Sequence, residues 1–320
     1  MMLHLKQRKY RIIPNAYNKR IWKNTERCEM NKKGLKELWK LCFPEDTEEF
    51  IDYYFHERVN NSRLFVKYDN SRPYAMAFAT EKNIIVSRTG EESIPLWFVS
   101  GVAVHPDFRH RGIASELMKQ VESSAGLEGV KALMLSPAVI ELYEKLGFSP
   151  VSYRKIVTLH QSECGFLSGY AKKDPVKPCA ARMAEIYDQF MKGRILFEER
   201  NEETFECLLR EFSLRGAFSA SNGDSYALGY ETEKGAVLNE FAYTSKISAR
   251  TLALGLLEKY GCVSIPLPVN DAIFDKIGDC VEETEVINMM KILVADLKND
   301  YLGKKYNKMN YLEAYSFEQY

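Results

Sequence analysis

The 320-residue sequence has no run of about 18 apolar residues, the length a membrane-crossing helix needs. Its N-terminus also lacks the apolar segment of a secretory leader. Formal net charge is zero, from 44 Lys and Arg against 44 Asp and Glu. There is thus no overall basic field to attract nucleic acid or an anionic membrane surface, although local patches can still form. The seven cysteines (Cys28, Cys42, Cys164, Cys179, Cys207, Cys262 and Cys280) contain no C-x-x-C pair, and no histidine stands near enough to complete a zinc signature. Their odd count and scatter point to free, mostly core-like thiols in a reducing compartment. The expectation is a cytoplasmic protein with no metal.

What is present is an ordinary globular composition, 46% hydrophobic and 28% charged, at a length where two domains with separate cores are expected. Residues 1–32 form a basic extension with interleaved Tyr10, Tyr17 and Trp22. Three readings stand for it: a solvated extension, an upstream stretch ahead of a start at Met30, or a segment whose aromatics stack on bases while its cations meet phosphates. The balancing acids elsewhere weigh against nucleic acid. From Lys33, the residues Leu35, Leu38, Trp39, Cys42 and Phe43 recur at helical spacing until Pro44. A second helix is predicted over Thr47 to Arg58. Arg63–Tyr68 and Pro73–Glu81 then read as a hairpin across Asp69–Arg72, followed by a polar stretch from Lys82 to Ser93.

The most informative stretch runs from Leu96 to Ala125. Trp97 to Val104 is almost continuously apolar, His105-Pro106-Asp107 stops it, and Ile113, Ala114, Leu117, Met118 and Val121 return at helical spacing. A strand therefore hands over directly to a helix N-terminus, whose unpaired N–H groups and dipole suit phosphate oxygens. Gly112, without a Cβ, lets a pyrophosphate approach the backbone, small Ala114 keeps the next turn clear, and Arg109 and Arg111 add charge of the right sign. The plainer reading is a turn glycine beside solvated arginines. Downstream, Lys131–Leu135 reads as a short strand, Ala138–Leu146 as a helix capped by Gly147, and Tyr153–Leu159 as a further strand. A mixed sheet flanked by helices follows, an α+β or α/β sandwich.

Together, V-x-V-H-P-x-x-R-x-x-G-x-A over Val102–Ala114 and L-Y-E-K-L-G-F over Leu142–Phe148 closely resemble the acetyl-CoA-binding core of the GCN5-related N-acetyltransferases (GNAT), from about Lys33 to Leu159. The resemblance implies a three-layer GNAT fold with acetyl-CoA as cosubstrate. It implies that backbone groups of Val102, Ala103 and Val104 pair with the pantetheine arm, and that N–H groups of His110, Arg111, Gly112, Ile113, Ala114 and Ser115 hold the pyrophosphate beside Arg109. Tyr143 matches the family's usual proton donor for the departing thiolate; its other reading is a core tyrosine. In GNAT proteins the first two helices also wall the acceptor site, so Trp39, Tyr54 and Phe55 are either core or substrate contacts. No general base is identified. The implied activity is acetyl transfer to a primary amine of a small molecule or peptide; the alternative is a cofactor-binding sensor without turnover.

The pattern lapses over Ser162–Pro178, a predicted linker. Helices Ala180–Met191 and Glu202–Arg215, strands Ser225–Tyr230 and Ala236–Tyr243, and helix Ile247–Tyr260 then repeat the order of the first half, and strands Cys262–Pro268 and Glu285–Val294 follow. This predicts a catalytic domain over 33–165 and a degenerate GNAT-like domain over 176–320. At the decisive turn, the second half has TSKISARTLA (Thr244–Ala253) without glycine, so no cofactor is expected there. The aromatic tail Lys298–Tyr320 is expected to dock on its own chain. The layout resembles acetyltransferases of the enhanced-intracellular-survival type, without the length for their third domain. That resemblance implies a terminal carboxylate, here that of Tyr320, at the active site. Acceptor preference is not carried over, and a homo-oligomer is left open.

Overall fold

The computed structural model describes residues 25–59, 62–86, 89, 92–163, 175–274 and 281–294. The expected aromatic tail, most of the basic extension and the centre of the expected linker lie outside the described residues. Helix α1 (Thr25–Cys42) begins ahead of Lys33 and buries Leu35, Leu38 and Trp39. Helix α2 (Glu48–Tyr53) starts where the Thr47 hydroxyl accepts from Phe50 N at 3.1 Å, with Glu48 and Glu49 placed favourably against the helix dipole. It continues as a π-helical turn over Tyr54–Arg58, a wider winding often found at functional sites.

Strands β1 (Ser62–Asp69) and β2 (Arg72–Ile85) form the expected hairpin, but β2 runs on through the polar stretch to Ile85. Strand β3 (Ser93–Val104), helix α3 (Ile113–Leu127), strand β4 (Ala132–Leu135), helix α4 (Ile140–Glu144) and strand β5 (Ser149–His160) follow in the expected order. Helix α4 is shorter than the Ala138–Leu146 reading. It ends in a tight turn, with Gly147 at φ +85° and Phe148 N donating to the Tyr143 carbonyl at 3.0 Å. The second half contains α5 (Ala180–Met191), β6 (Phe197–Glu198), α6 (Glu202–Leu214), β7 (Phe218–Ser221), β8 (Ser225–Thr232), β9 (Gly235–Tyr243), α7 (Lys246–Tyr260), β10 (Cys262–Leu267) and β11 (Val281–Ile292). Strands β6 and β7 were not legible as separate elements.

All these strands join one mixed sheet in the order β1-β2-β3-β4-β11-β5-β10-β9-β8-β7, with β6 paired to the end of β2. Only β3/β4 and β9/β10 run parallel, each pair joined through a helix, α3 or α7. Strand β11 inserts between β4 and β5, pairing Met289 with Leu135 and Val281 with Thr158. Strand β5 in turn lies against β10, with Val157 opposite Ile265. Each half thus contributes its last strand beside the other half's parallel pair. Buried Met289 joins the first-half cluster of Ala77, Trp97, Val99, Leu117, Leu135 and Tyr143 under α3 and α4. On the opposite face, α1 and α2 cover Met76, Phe78 and Ala103. No described helix is long and apolar enough to cross a membrane.

Candidate active site

The parallel strands β3 and β4 share rungs only at Trp97–Leu133 and Phe98–Met134. Strand β4 then ends at Leu135, while β3 continues to Val104 on β2 alone. The divergence has a local cause. Opposite Met76–Phe78 of β2, strand β3 spans Ser100–Ala103, one residue more, and Gly101 takes φ +57°. Such a bulge bends its strand and raises its twist. A Cβ at Gly101 would lie 2.8 Å from both Phe78 Cδ2 and Trp39 Cζ3, so the bulge requires glycine on steric as well as conformational grounds. Among the described residues, the β4-facing edge of Val99–Val104 has no strand partner. An extended chain can pair with such an edge as an added strand. Val102 and Val104 pack towards α3, and Ala103 towards α1 and α2.

Beyond β3 the chain makes a short 3₁₀ turn over Pro106–Phe108, held by His105 Nδ1 accepting from Asp107 N at 3.3 Å. His110 and Gly112 both adopt left-handed backbone, φ +60° and +74°. Gly112 is the N-cap of α3 and supplies no side-chain cap. The first backbone bond into the helix runs from Glu116 N to Gly112 O at 3.0 Å. The N–H groups of Ile113, Ala114 and Ser115 are therefore left without intrahelical acceptors. A Cβ built on Gly112 meets nothing within 4 Å, so the approach to this helix end is open. Uncapped donors at the positive end of a 15-residue helix, with open space beside them, fit a pyrophosphate.

The two arginines point differently from each other. Arg109 Nε donates to the Val104 carbonyl at 3.0 Å, and its Nη2 lies 3.9 Å from Cys42 Sγ, so this guanidinium straps the turn to the end of β3. Burial pushes the Cys42 thiol up, partly offset by Arg109. Arg111 lies over the Phe108 ring at 5.5 Å, and Phe108 stacks on Tyr74 at 4.4 Å.

Tyr143 on α4 is 7% exposed and packs edge-on against Phe148 at 5.9 Å. It belongs to the same cluster as Val102, Ile113, Leu117 and Leu135, so the end of β3, the start of α3 and the phenol converge on one apolar core. Burial pushes the phenol up to about 12, so it stays protonated at neutral pH. No described group hydrogen-bonds it. Trp39, Tyr54 and Phe55 are buried within an aromatic cluster around Phe78. Tyr54 reaches the bulge itself, sharing a 3.0 Å hydrogen bond with half-buried Ser100 Oγ. Sequence reasoning missed Ser100, whose only signal was its place as the one hydroxyl in the apolar run Trp97–Val104.

The second half keeps the frame and closes both ends of it. Strand β9 bulges at Asn239, between the rungs Leu238–Gly229 and Glu240–Leu228. Helix α7, however, is capped by a reciprocal Ser245–Ser248 box, with Ser248 N donating to Ser245 Oγ at 3.1 Å and Ser245 N to Ser248 Oγ at 3.3 Å. Beside the bulge, Glu240 accepts from Arg200 at 3.1 and 2.9 Å and from the Tyr226 hydroxyl at 2.6 Å, all of it buried. Among the described residues, no group of three or more potential metal ligands occurs.

Residues 29–151 match the family model described as an acetyltransferase (GNAT) domain. No curated protein sequence matches the chain. Among solved structures, a protein from Enterococcus faecalis described as a probable N-acyltransferase superposes with TM-score 0.68 at 13% identity, covering 85% of this chain and 73% of the other. A GCN5-related N-acetyltransferase from Kribbella flavida gives TM-score 0.63 at 17% identity, covering 82% and 69%. Eis1 from Mycobacterium abscessus gives 0.53 at 12%, covering 72% and 64%. These likenesses establish the fold, and the uncapped helix behind a bulged, splayed strand lies inside the matched segment. Residues 29–151 are thus a GNAT acetyltransferase domain, in a chain whose fold is shared with GNAT N-acetyltransferases including Eis1, of the enhanced-intracellular-survival type.

Proposed function

We propose that the chain is an acetyl-CoA-dependent N-acetyltransferase that acts in the cytoplasm on a primary amine of a small molecule or peptide. One observation carries this reading: the uncapped N-terminus of α3 and the unpartnered edge of β3 open at the same end of the parallel pair. Bound acetyl-CoA supplies a thioester whose acyl carbon the amine attacks. Backbone groups of Val102, Ala103 and Val104 take the pantetheine arm as an added strand. N–H groups from His110 to Ser115 hold the pyrophosphate, with Arg109 keeping the turn in place. Tyr143 holds a proton on its phenol oxygen and gives it to the departing thiolate. The amine must lose its own proton first, which at pH 7 costs roughly 4 kcal/mol for a pKa of about 10. Burial of the acceptor side among Tyr54, Phe55 and Trp39 lowers that cost by disfavouring the charged form.

The reading assigns catalysis to 33–165 and a shaping role to 176–320, whose helix α7 caps itself. A screen of aminoglycosides, polyamines, amino acids and peptides, followed by CoA release from acetyl-CoA, tests it. Release with at least one amine is expected. Tight acetyl-CoA binding with no release from any amine would favour a sensor, and no binding at all would overturn the cofactor site.

A further inference from the structure

Helix α6 of the second half docks on the acceptor-side helices of the first through two ion pairs. Arg215, its C-cap residue, donates from Nε and Nη2 to Asp46 Oδ1 at 2.9 and 2.6 Å, with its guanidinium 4.5 Å over Phe50. Asp46 is buried between α1 and α2, and its other oxygen accepts from Trp39 Nε1 at 2.8 Å. The Trp39 ring is the surface against which a Gly101 Cβ would clash. One turn earlier on α6, Glu211 pairs with Arg58 at the end of the π-helical turn. That turn carries Tyr54, whose ring lies 4.6 Å from Trp39 and whose hydroxyl meets Ser100. Both ion pairs therefore lead, through one buried aromatic ring each, to adjacent residues of the β3 bulge.

We propose that Arg215 is a positioning residue for the transfer site: from the second half of the chain, through Asp46 and Trp39, it sets the β3 bulge at Ser100 and Gly101. The inference rests on the acetyl-transfer reading for its functional consequence, but not for its structural one. Without Arg215, the Asp46 carboxylate keeps only the indole donor among the described residues. A buried carboxylate so stripped must move towards water. Trp39 is hydrogen-bonded to it and moves with it, and Gly101 loses one of the two aromatic walls that define its turn, Phe78 being the other. The helix α3 end is a step removed from this relay: its donors come from Ile113–Ser115, and Arg109 ties its turn to Val104 and to Cys42 at the end of α1, touching neither Trp39 nor the bulge.

The test compares wild type, R215M, R215K and the control R182M, which breaks two exposed ion pairs, to Glu185 and Asp224, elsewhere in the same half. In R215M, amide hydrogen exchange should quicken at residues 100–103 and stay unchanged at 117–121, inside α3. R215K, which retains a charge for Asp46, should restore part of the protection, and R182M should match wild type. In turnover, R215M should lose kcat by about tenfold or more, as a displaced site does, with acetyl-CoA Kd held within about threefold. Unchanged exchange at 100–103, or exchange that rises equally at 117–121, would overturn the relay. If the wild type acetylates no amine, the acetyl-transfer reading falls, and the exchange comparison still decides the relay.

Discussion

Gly112 and Gly101 are both left-handed, and they should fail in opposite ways. At Gly112, φ is +74° with nothing within 4 Å of a built Cβ. Valine there meets only the conformational cost of that backbone region, about 1–2 kcal/mol. The fold should survive with a Tm lowered by a few degrees. The bound pyrophosphate should not survive as well. Hydrogen bonds to a charged group contribute about 1.5–3 kcal/mol each, so losing close approach to one or two of the Ile113–Ser115 donors costs about 3 kcal/mol, or roughly 100-fold in Kd. At Gly101, φ is +57° and a Cβ would sit 2.8 Å from two buried aromatic rings. The same conformational cost combines with about 1–3 kcal/mol of overpacking, so G101A should melt well below G112V. Calorimetric titration with acetyl-CoA and thermal melts of both variants read the contrast. If G112V binds acetyl-CoA as tightly as wild type, the cradle is misassigned; if G101A melts like G112V, the packing argument under the bulge fails.

Four further outcomes are expected. Y143F should lower kcat by about 10²-fold or more while acetyl-CoA affinity is unchanged, and undiminished turnover would remove Tyr143 as the proton donor. The same phenol links to stability. Its folded value of about 12 exceeds the unfolded value of about 10, so its contribution is complete below pH 10 and is lost as pH rises towards 12; Y143F should show a shallower alkaline loss of Tm. M289A, at a fully buried position of β11 opposite Leu135, should cost about 2–5 kcal/mol and lower acetyl-CoA affinity with it, whereas intact binding in a destabilised M289A would mean that β11 does not support the first-half site. Titration of wild type should give one acetyl-CoA per chain, because the Ser245–Ser248 box already occupies donors at the start of α7; a stoichiometry of two would contradict this.

How far each element was legible depended on whether its cause was local. The strand, turn and helix from Leu96 to Ala125 declare themselves through an apolar run, a proline and a glycine within one short stretch, and α5 matches its predicted bounds because its stripe of Met183, Ile186, Tyr187 and Phe190 is unbroken. Strand β2 reads short in sequence because the polar stretch from Lys82 looks like a loop. Its extension to Ile85 is held by pairing with β3 and β6, which no local pattern shows. The insertion of β11 between β4 and β5 is illegible for the same reason. Within the site, the open α3 end follows from Gly112 and the lack of a capping residue, both visible in sequence. The strap made by Arg109 is not, since spacing places a guanidinium in the turn without saying which way it points. No local pattern sets Asp46, just after Pro44, or Arg215, at the end of its predicted helix, apart from other charges, and only the packing of α6 on α2 buries the first and aims the second.

The comparison of the two halves identifies what separates a site from a copy of its frame. Both have a parallel pair joined through a helix, and both have a bulge in the first strand of that pair. In the second half the polar groups at that geometry pair with one another: Ser245 and Ser248 cap each other's backbone N–H, and Glu240 accepts from Arg200 and Tyr226 inside the core. Removing one member of such a buried charged set costs about 3–5 kcal/mol, so drift at single positions cannot easily reopen it. In the first half the corresponding groups are neutral or unpaired: a Ser100–Tyr54 hydroxyl pair at the bulge, a phenol on Tyr143 with no described partner, and three N–H groups facing open space at α3. A glycine introduced at the start of α7 would free only the helix donors and would leave the Arg200–Glu240–Tyr226 set in place beside the bulge. What singles out Leu96–Ala125 is therefore a set of donors that the fold holds in position and leaves without a protein acceptor.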